Sequence, residues 1–288
     1  MDYLAFHDID VYFLDGTKYY ADGGATFGPV PRAVWGREMP FNDAGQIAQV
    51  ADPILIHEAG HYYLIDTSHG TSKMGAKARR NAGLETDNHV FASLAELNLT
   101  PKDIDGVIMT HMHNDHAGGL TYLQDGRLHS SFPKAKIYIN EVEWQEVRYP
   151  NARTQGTYLK ANWEPIQAQV ETFGTSMQLT PSIHIYHTGG HSNGHSIIRI
   201  EQEGEALIHL ADLMLTHPQR RALWISGYDD YPMDSVRAKE YWLPQAFEAG
   251  DRFIFYHNPY YTMLQFSEDG KEIIDQQERS KEPLISRT

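Results

Sequence analysis

The 288-residue chain contains no cysteine, which removes disulfides, thiolate metal sites and cysteine nucleophiles together. No apolar run approaches the roughly 20 residues that a membrane helix needs. The opening residues Met1-Asp2-Tyr3-Leu4-Ala5-Phe6-His7-Asp8 lack the basic start and sustained apolar core of a secretory signal. A cytoplasmic protein with no membrane partner is therefore expected. Positive charge is scarce: 24 Lys and Arg stand against 38 Asp and Glu, for a formal net charge of -14. That field repels phosphate polymers, so nucleic acid is not an expected partner, whereas a small or neutral substrate is allowed. No low-complexity stretch, fixed-period repeat or Pro/Gly/Ser linker divides the chain. With 41% apolar residues, it reads as one folded domain spanning residues 1–288.

What is present is a series of short strand-like runs with helices between them. Val11-Tyr12-Phe13-Leu14 is one such run. Pro53 to His57 and Tyr62 to Asp66 flank Glu58-Ala59-Gly60-His61, which reads as a hairpin turn. His57-Glu58-Ala59-Gly60-His61 matches the zincin pattern, but that motif needs a helix, and here Gly60 and flanking strands argue against one. A helix is expected at 93–97, strands at 106–110 and 137–139, and a helix from Glu141 to Arg148 closed by Pro150. Glu141, Glu143 and Glu146 read as its solvated face. Strands follow at 183–187, 196–200 and 206–210. A helix capped at Asp234-Ser235 runs to about Ala249, and Phe253 to Tyr256 forms a last buried strand. Residues 23–45, rich in Gly and Pro, read as a loop excursion. Its Phe27, Val30, Val34 and Trp35 would wall a substrate pocket, form a homodimer contact, or pack on the chain itself. Strands with interleaved helices in both halves suggest two packed sheets covered by helices.

The densest chemistry is His111-Met112-His113-Asn114-Asp115-His116, directly after the apolar Val107-Ile108-Met109-Thr110. Extended backbone alternates its side chains, so His111 and His113 point one way and converge on one ion. A turn near Asn114 then aims Asp115 and His116 at a neighbouring position. Imidazole and carboxylate donors without thiolate suit Zn, Mn, Fe or Co. Further candidates each sit at or beyond a strand end: His191 and His195 in Thr188-Gly189-Gly190-His191-Ser192-Asn193-Gly194-His195, Asp212 after 207–211, and His257 after 253–256. His195 either orients a ligand or is a hydrogen-bonded structural residue. His7, His69, His89 and His129 read as surface residues.

In this order and spacing, His-x-His-x-Asp-His, Gly-His, Asp and His resemble the metallo-β-lactamase superfamily of binuclear metallohydrolases. The resemblance implies an α+β fold, the αββα four-layer sandwich. It implies two divalent metal ions, zinc first, with Mn, Fe or Co also fitting. One would be held by His111, His113 and His191, the second by Asp115, His116 and His257, with Asp212 bridging. A metal-bridging hydroxide would attack the substrate, and Asp115 would pass a proton to the leaving group. Closer likeness lies in Leu14-Asp15-Gly16, Phe27-Gly28-Pro29-Val30-Pro31, Asp52-Pro53, His187 to Ser192, Tyr228-Asp229-Asp230-Tyr231-Pro232 and Phe253 to His257. These stretches look like the N-acyl-homoserine lactonases, most of all their YtnP-like branch, and imply quorum quenching by opening a lactone ester.

Two positions depart from that pattern. Many such lactonases place a substrate-binding tyrosine three residues after the bridging aspartate, where this chain has Leu215, and an aspartate after the last histidine, where it has Asn258. Tyr228, Tyr231 or His217 would have to supply the missing donor. Phosphotriester hydrolysis of the methyl-parathion-hydrolase type uses the same metal pattern and stays an alternative. A glyoxalase-II-like thioesterase would need a basic cluster that is not evident. A non-catalytic binding protein would be expected to lack a ligand, and none of the seven is missing.

Overall fold

The computed structural model describes residues 1–287. The chain divides into two compact units, each assembled from segments distant in sequence. One comprises Met1–Lys18 with Ala51–Gly174, the other Tyr19–Val50 with the chain from Thr175 onward.

The first unit is built on a seven-stranded sheet. From one edge its strands are Asp2–Phe6, Ile9–Phe13, Ile54–Glu58, His61–Ile65, Gly106–Ile108, Lys136–Asn140 and Val170–Phe173. The first four pair antiparallel and the remaining joints are parallel. The expected hairpin is there: Ala59 and Gly60 both take positive φ between Ile54–Glu58 and His61–Ile65, which suits a two-residue primed turn. His57 stacks on Tyr62 rather than presenting a zincin face. Gly106–Ile108 is buried throughout. At Gly106 a Cβ would stand 2.9 Å from the Tyr138 ring and 3.0 Å from that of Tyr63, so only glycine lets these neighbours close over the strand. Leu64, Val107, Ile137 and Ile139 join Val90, Leu94 and Val147 in the core, so this sheet is covered by the helices Val90–Glu96 and Glu141–Arg148.

The second unit has its own seven-stranded sheet, in sequence order from Ser176–Gln178 through Ile183–His187, Ser196–Gln202, Glu205–His209, Arg252–Ile254 and Tyr261–Phe266 to Ile273–Glu278. Only the joint of Glu205–His209 with Arg252–Ile254 is parallel. The expected last strand is therefore not last. Tyr261–Phe266 and Ile273–Glu278 follow it, the latter an edge strand whose exposure leaves no alternating apolar signal. The helix Pro232–Ala249 starts with Pro232 at its first position, ahead of the expected Asp234 cap, and ends at Gly250 in the left-handed region.

Residues 23–45 are not a plain surface loop. Gly23–Phe27 and Arg32–Trp35 are short helices, and Phe27 stacks on Trp35 with both rings buried. Of the large apolar residues there, Val34 and Phe41 are exposed. No helix among the described residues is long and apolar enough to cross a membrane.

Candidate metal centre

Four of the seven expected ligands belong to the first unit. The strand Gly106–Ile108 runs parallel to its neighbour His61–Ile65, with Ile108 opposite Ile65, so both chains leave the sheet at the same edge. There Asp66 meets the incoming loop. Fully buried, it accepts from the Thr110 N–H (2.9 Å), the Thr110 hydroxyl (2.7 Å) and His116 Nδ1 (2.8 Å). The same hydroxyl oxygen accepts from His111 Nδ1 at 3.0 Å. Both imidazoles thus have Nδ1 engaged, so Nε2 is the nitrogen each would present to a metal ion.

Met112 drops into the core while His111 and His113 lie on the other side, as alternation requires. Its N–H donates to Glu143 Oε1 at 2.7 Å, and Tyr158 donates its hydroxyl to the same oxygen at 2.8 Å. Glu143 is fully buried. The expected solvated helix face is therefore corrected at this residue: Glu143 turns inward to hold the ligand loop. Asp115 and His116 ride on the short helix Asn114–Ala117. It docks so tightly that a Cβ on Gly118 would stand 2.3 Å from the Gly70 nitrogen, and one on Gly119 2.0 Å from the Thr67 carbonyl oxygen. Donor atoms of His111 and His113 lie within 4.8 Å of one another, as do those of His111 with His116 and of Asp115 with His116. Asp115 keeps 28% of its side chain exposed, whereas His116 is sealed.

The other three expected ligands belong to the second unit and come from three strand ends. Ile208 stands opposite Phe253 in the parallel pair, and Asp212 and His257 each follow four residues later. Ile183–His187 points the same way, since two antiparallel joints separate it from Glu205–His209. Its carboxyl end therefore delivers His191 to the same edge. Gly190, at φ 94°, brings the backbone against Ser235, whose Cα a Cβ would approach to 2.7 Å.

The result is a carboxylate between two imidazoles. Asp212 Oδ2 is 3.2 Å from His191 Nε2, and Oδ1 is 3.2 Å from His257 Nε2. His191 Nδ1 donates to Asp229 Oδ1 at 2.8 Å, and His257 Nδ1 to the Val50 carbonyl at 2.7 Å. A carbonyl only accepts, so His257 Nδ1 carries a proton, and in the neutral ring the Nε2 lone pair faces Asp212. Two acceptors at that distance call for a cation. The donor set therefore fits divalent metal.

His195 is hydrogen-bonded through both ring nitrogens. Its Nδ1 bonds Thr188 Oγ1 at 2.8 Å, and Nε2 accepts the Asp212 N–H at 3.3 Å. Beyond Asp229, Lys239 is buried with Nζ donating to the Trp224 carbonyl at 2.8 Å. Burial pushes its ammonium pKa down to about 7, while the charge of Asp229 works against that shift.

Sequence reasoning missed Asp66, Glu143 and Lys239. Asp229 lay in a stretch noted for likeness, with no role attached. His69 is corrected too: it is buried, with Nδ1 2.8 Å from the Thr17 hydroxyl, whereas His7, His89 and His129 are exposed. Leu215 is buried, and Tyr228 is substantially exposed.

Comparisons with known proteins agree with this chemistry. The sequence profile of the metallo-beta-lactamase superfamily matches residues 50–261. The chain belongs to that superfamily and has its fold. It is 39% identical to a probable metal-dependent hydrolase from Staphylococcus aureus, with a TM-score of 0.93 over 96% of this chain and 99% of that one. It resembles AidC, a dizinc quorum-quenching lactonase, with a TM-score of 0.77 at 17% identity over 98% of both chains. An N-acyl homoserine lactonase of Bacillus cereus is 26% identical over 125 residues, 43% of this chain. That match spans 44% of the relative's length.

Proposed function

We propose that the protein hydrolyses lactone esters, N-acyl-homoserine lactones first among them, and so quenches quorum signals. In this reading His111, His113 and His191 hold one divalent ion, Asp115, His116 and His257 the second, and Asp212 is shared. Zinc is the first candidate, since AidC is a dizinc lactonase. The observation that carries the reading is Asp212, with each oxygen 3.2 Å from a different Nε2. A carboxylate so flanked would offer an oxygen to a cation on either side. When bound, such ions polarise an ester carbonyl and lower the pKa of water.

The chain's own residues do the rest. Asp66, Thr110, Asp229 and the Val50 carbonyl fix which imidazole nitrogen is presented. Glu143 holds the loop between His111 and His113. Asp115, the partly open carboxylate, would take up the proton released by the attacking water and pass it to the departing alkoxide. The substrate is a small molecule.

The test is lactone opening by metal-replete enzyme, read as acid release in a weakly buffered pH-indicator assay across several N-acyl-homoserine lactones. Turnover abolished by EDTA and restored by added metal is expected. No turnover with metal confirmed bound would overturn the lactone substrate and move the assignment to phosphotriesters.

A further inference from the structure

His217 begins the short turn His217–Arg220, two residues beyond Leu215. Its orientation follows from its neighbour. Asn258 Oδ1 accepts the N–H groups of Tyr260 at 3.0 Å and Tyr261 at 3.3 Å. That fixes the amide, so its nitrogen is the group facing His217 Nδ1, 3.3 Å away. An amide nitrogen only donates, so Nδ1 accepts, and in the neutral ring the proton is on Nε2. Burial, helped by the charges of Arg220 and Arg287, pushes the His217 pKa down to about 3, so the ring is neutral near pH 7.

The ring also has a packing partner. It stands edge-on to Tyr261 at 5.3 Å. The Thr216–Gln219 capping box sets the backbone, and the Gln219 amide donates to the Thr26 carbonyl at 3.1 Å. Asn258 takes up Nδ1, no other hydrogen bond of the His217 side chain occurs among the described residues, and the residue remains partly exposed. Nε2–H is therefore a fixed donor open to a ligand. It is tied to the residue that follows His257 and stands five residues after Asp212, so both anchors lead to expected metal ligands.

We propose that His217 Nε2–H is a substrate-binding donor for the ester or acyl oxygen, supplying the hydrogen bond that Leu215 cannot. This rests on the lactonase reading. A preorganised neutral donor discriminates for substrates that bring an acceptor to it.

The experiment combines side-chain 15N NMR of the metal-loaded protein with kinetics of two variants. The His217 resonances should report protonated Nε2 and shift on adding ring-opened N-hexanoyl-homoserine. His217→Phe should raise KM for N-hexanoyl-homoserine lactone about tenfold, the scale of one neutral hydrogen bond, with metal content unchanged. His217→Gln, which keeps a donor at the end of its side chain, should recover most of the loss. A ring protonated on Nδ1, kinetics unchanged in His217→Phe, or equal loss in both variants would overturn the proposal. A wild-type protein that opens no lactone would instead overturn the lactonase reading. Titration of the same resonances with paraoxon would then decide the donor role: a shift of Nε2 supports it and none overturns it.

Discussion

The two units supply their expected ligands in opposite ways. The first gives four from six consecutive residues, His111 to His116, at the end of one strand. The second gives three from three strand ends, at His191, Asp212 and His257. In the first, proximity is built into the chain, and the fold has only to choose orientations through Asp66 and Glu143. In the second, proximity itself is a product of the sheet. The parallel register of Ile208 with Phe253 and the close seat of Gly190 on Ser235 create it. A local cluster tolerates distant change, whereas a dispersed one depends on every joint of its sheet.

Removing one ligand from each unit is the strongest challenge to this contrast. Asp115→Asn and His191→Ala should each lower turnover by at least about 100-fold, with circular dichroism showing both variants folded. Activity retained in either would remove that residue from the assignment.

A gentler challenge compares the supporting carboxylates. Asp66→Asn and Asp229→Asn should each weaken metal binding by about 10- to 100-fold, measured by competition with a chelator. Asp66 should have the larger effect, because it also holds Thr110 and through it His111. Equal effects would mean that the local cluster needs no more orientation than the dispersed one.

The smallest effect concerns Lys239, whose pKa is about 7 when folded against 10.5 for the ordinary side chain. Between those values the unfolded chain binds more protons, so this group's contribution makes stability rise with pH across that range. In Lys239→Met the denaturation midpoint should gain less from pH 7 to 9.5 than in the wild type. Parallel slopes would show that Lys239 keeps its proton in the folded protein.

Much of this was legible in the chain. Strands at 183–187 and 206–210 and the helix Glu141–Arg148 carry periodic apolar residues, and the structure has them close to those bounds. The superfamily follows from the order of histidines and aspartates, because metal chemistry restricts the residue types that can stand there. Edge strands such as Ile273–Glu278 were not legible, since both of their faces meet solvent. Nor was the buried role of Glu143: on a helix with Glu141 and Glu146 nearby, nothing in its identity separates an inward carboxylate from a solvated one.

The sequence by itself determined the class of chemistry and the list of candidate ligands, because donor type and local spacing are properties of the chain. Only the tertiary structure decided which nitrogen each imidazole presents, which carboxylates orient them, and that Asp212 stands between His191 and His257. Those outcomes depend on hydrogen bonds between residues tens of positions apart. Such bonds form only when strand register and close glycine contacts have fixed where the partners stand.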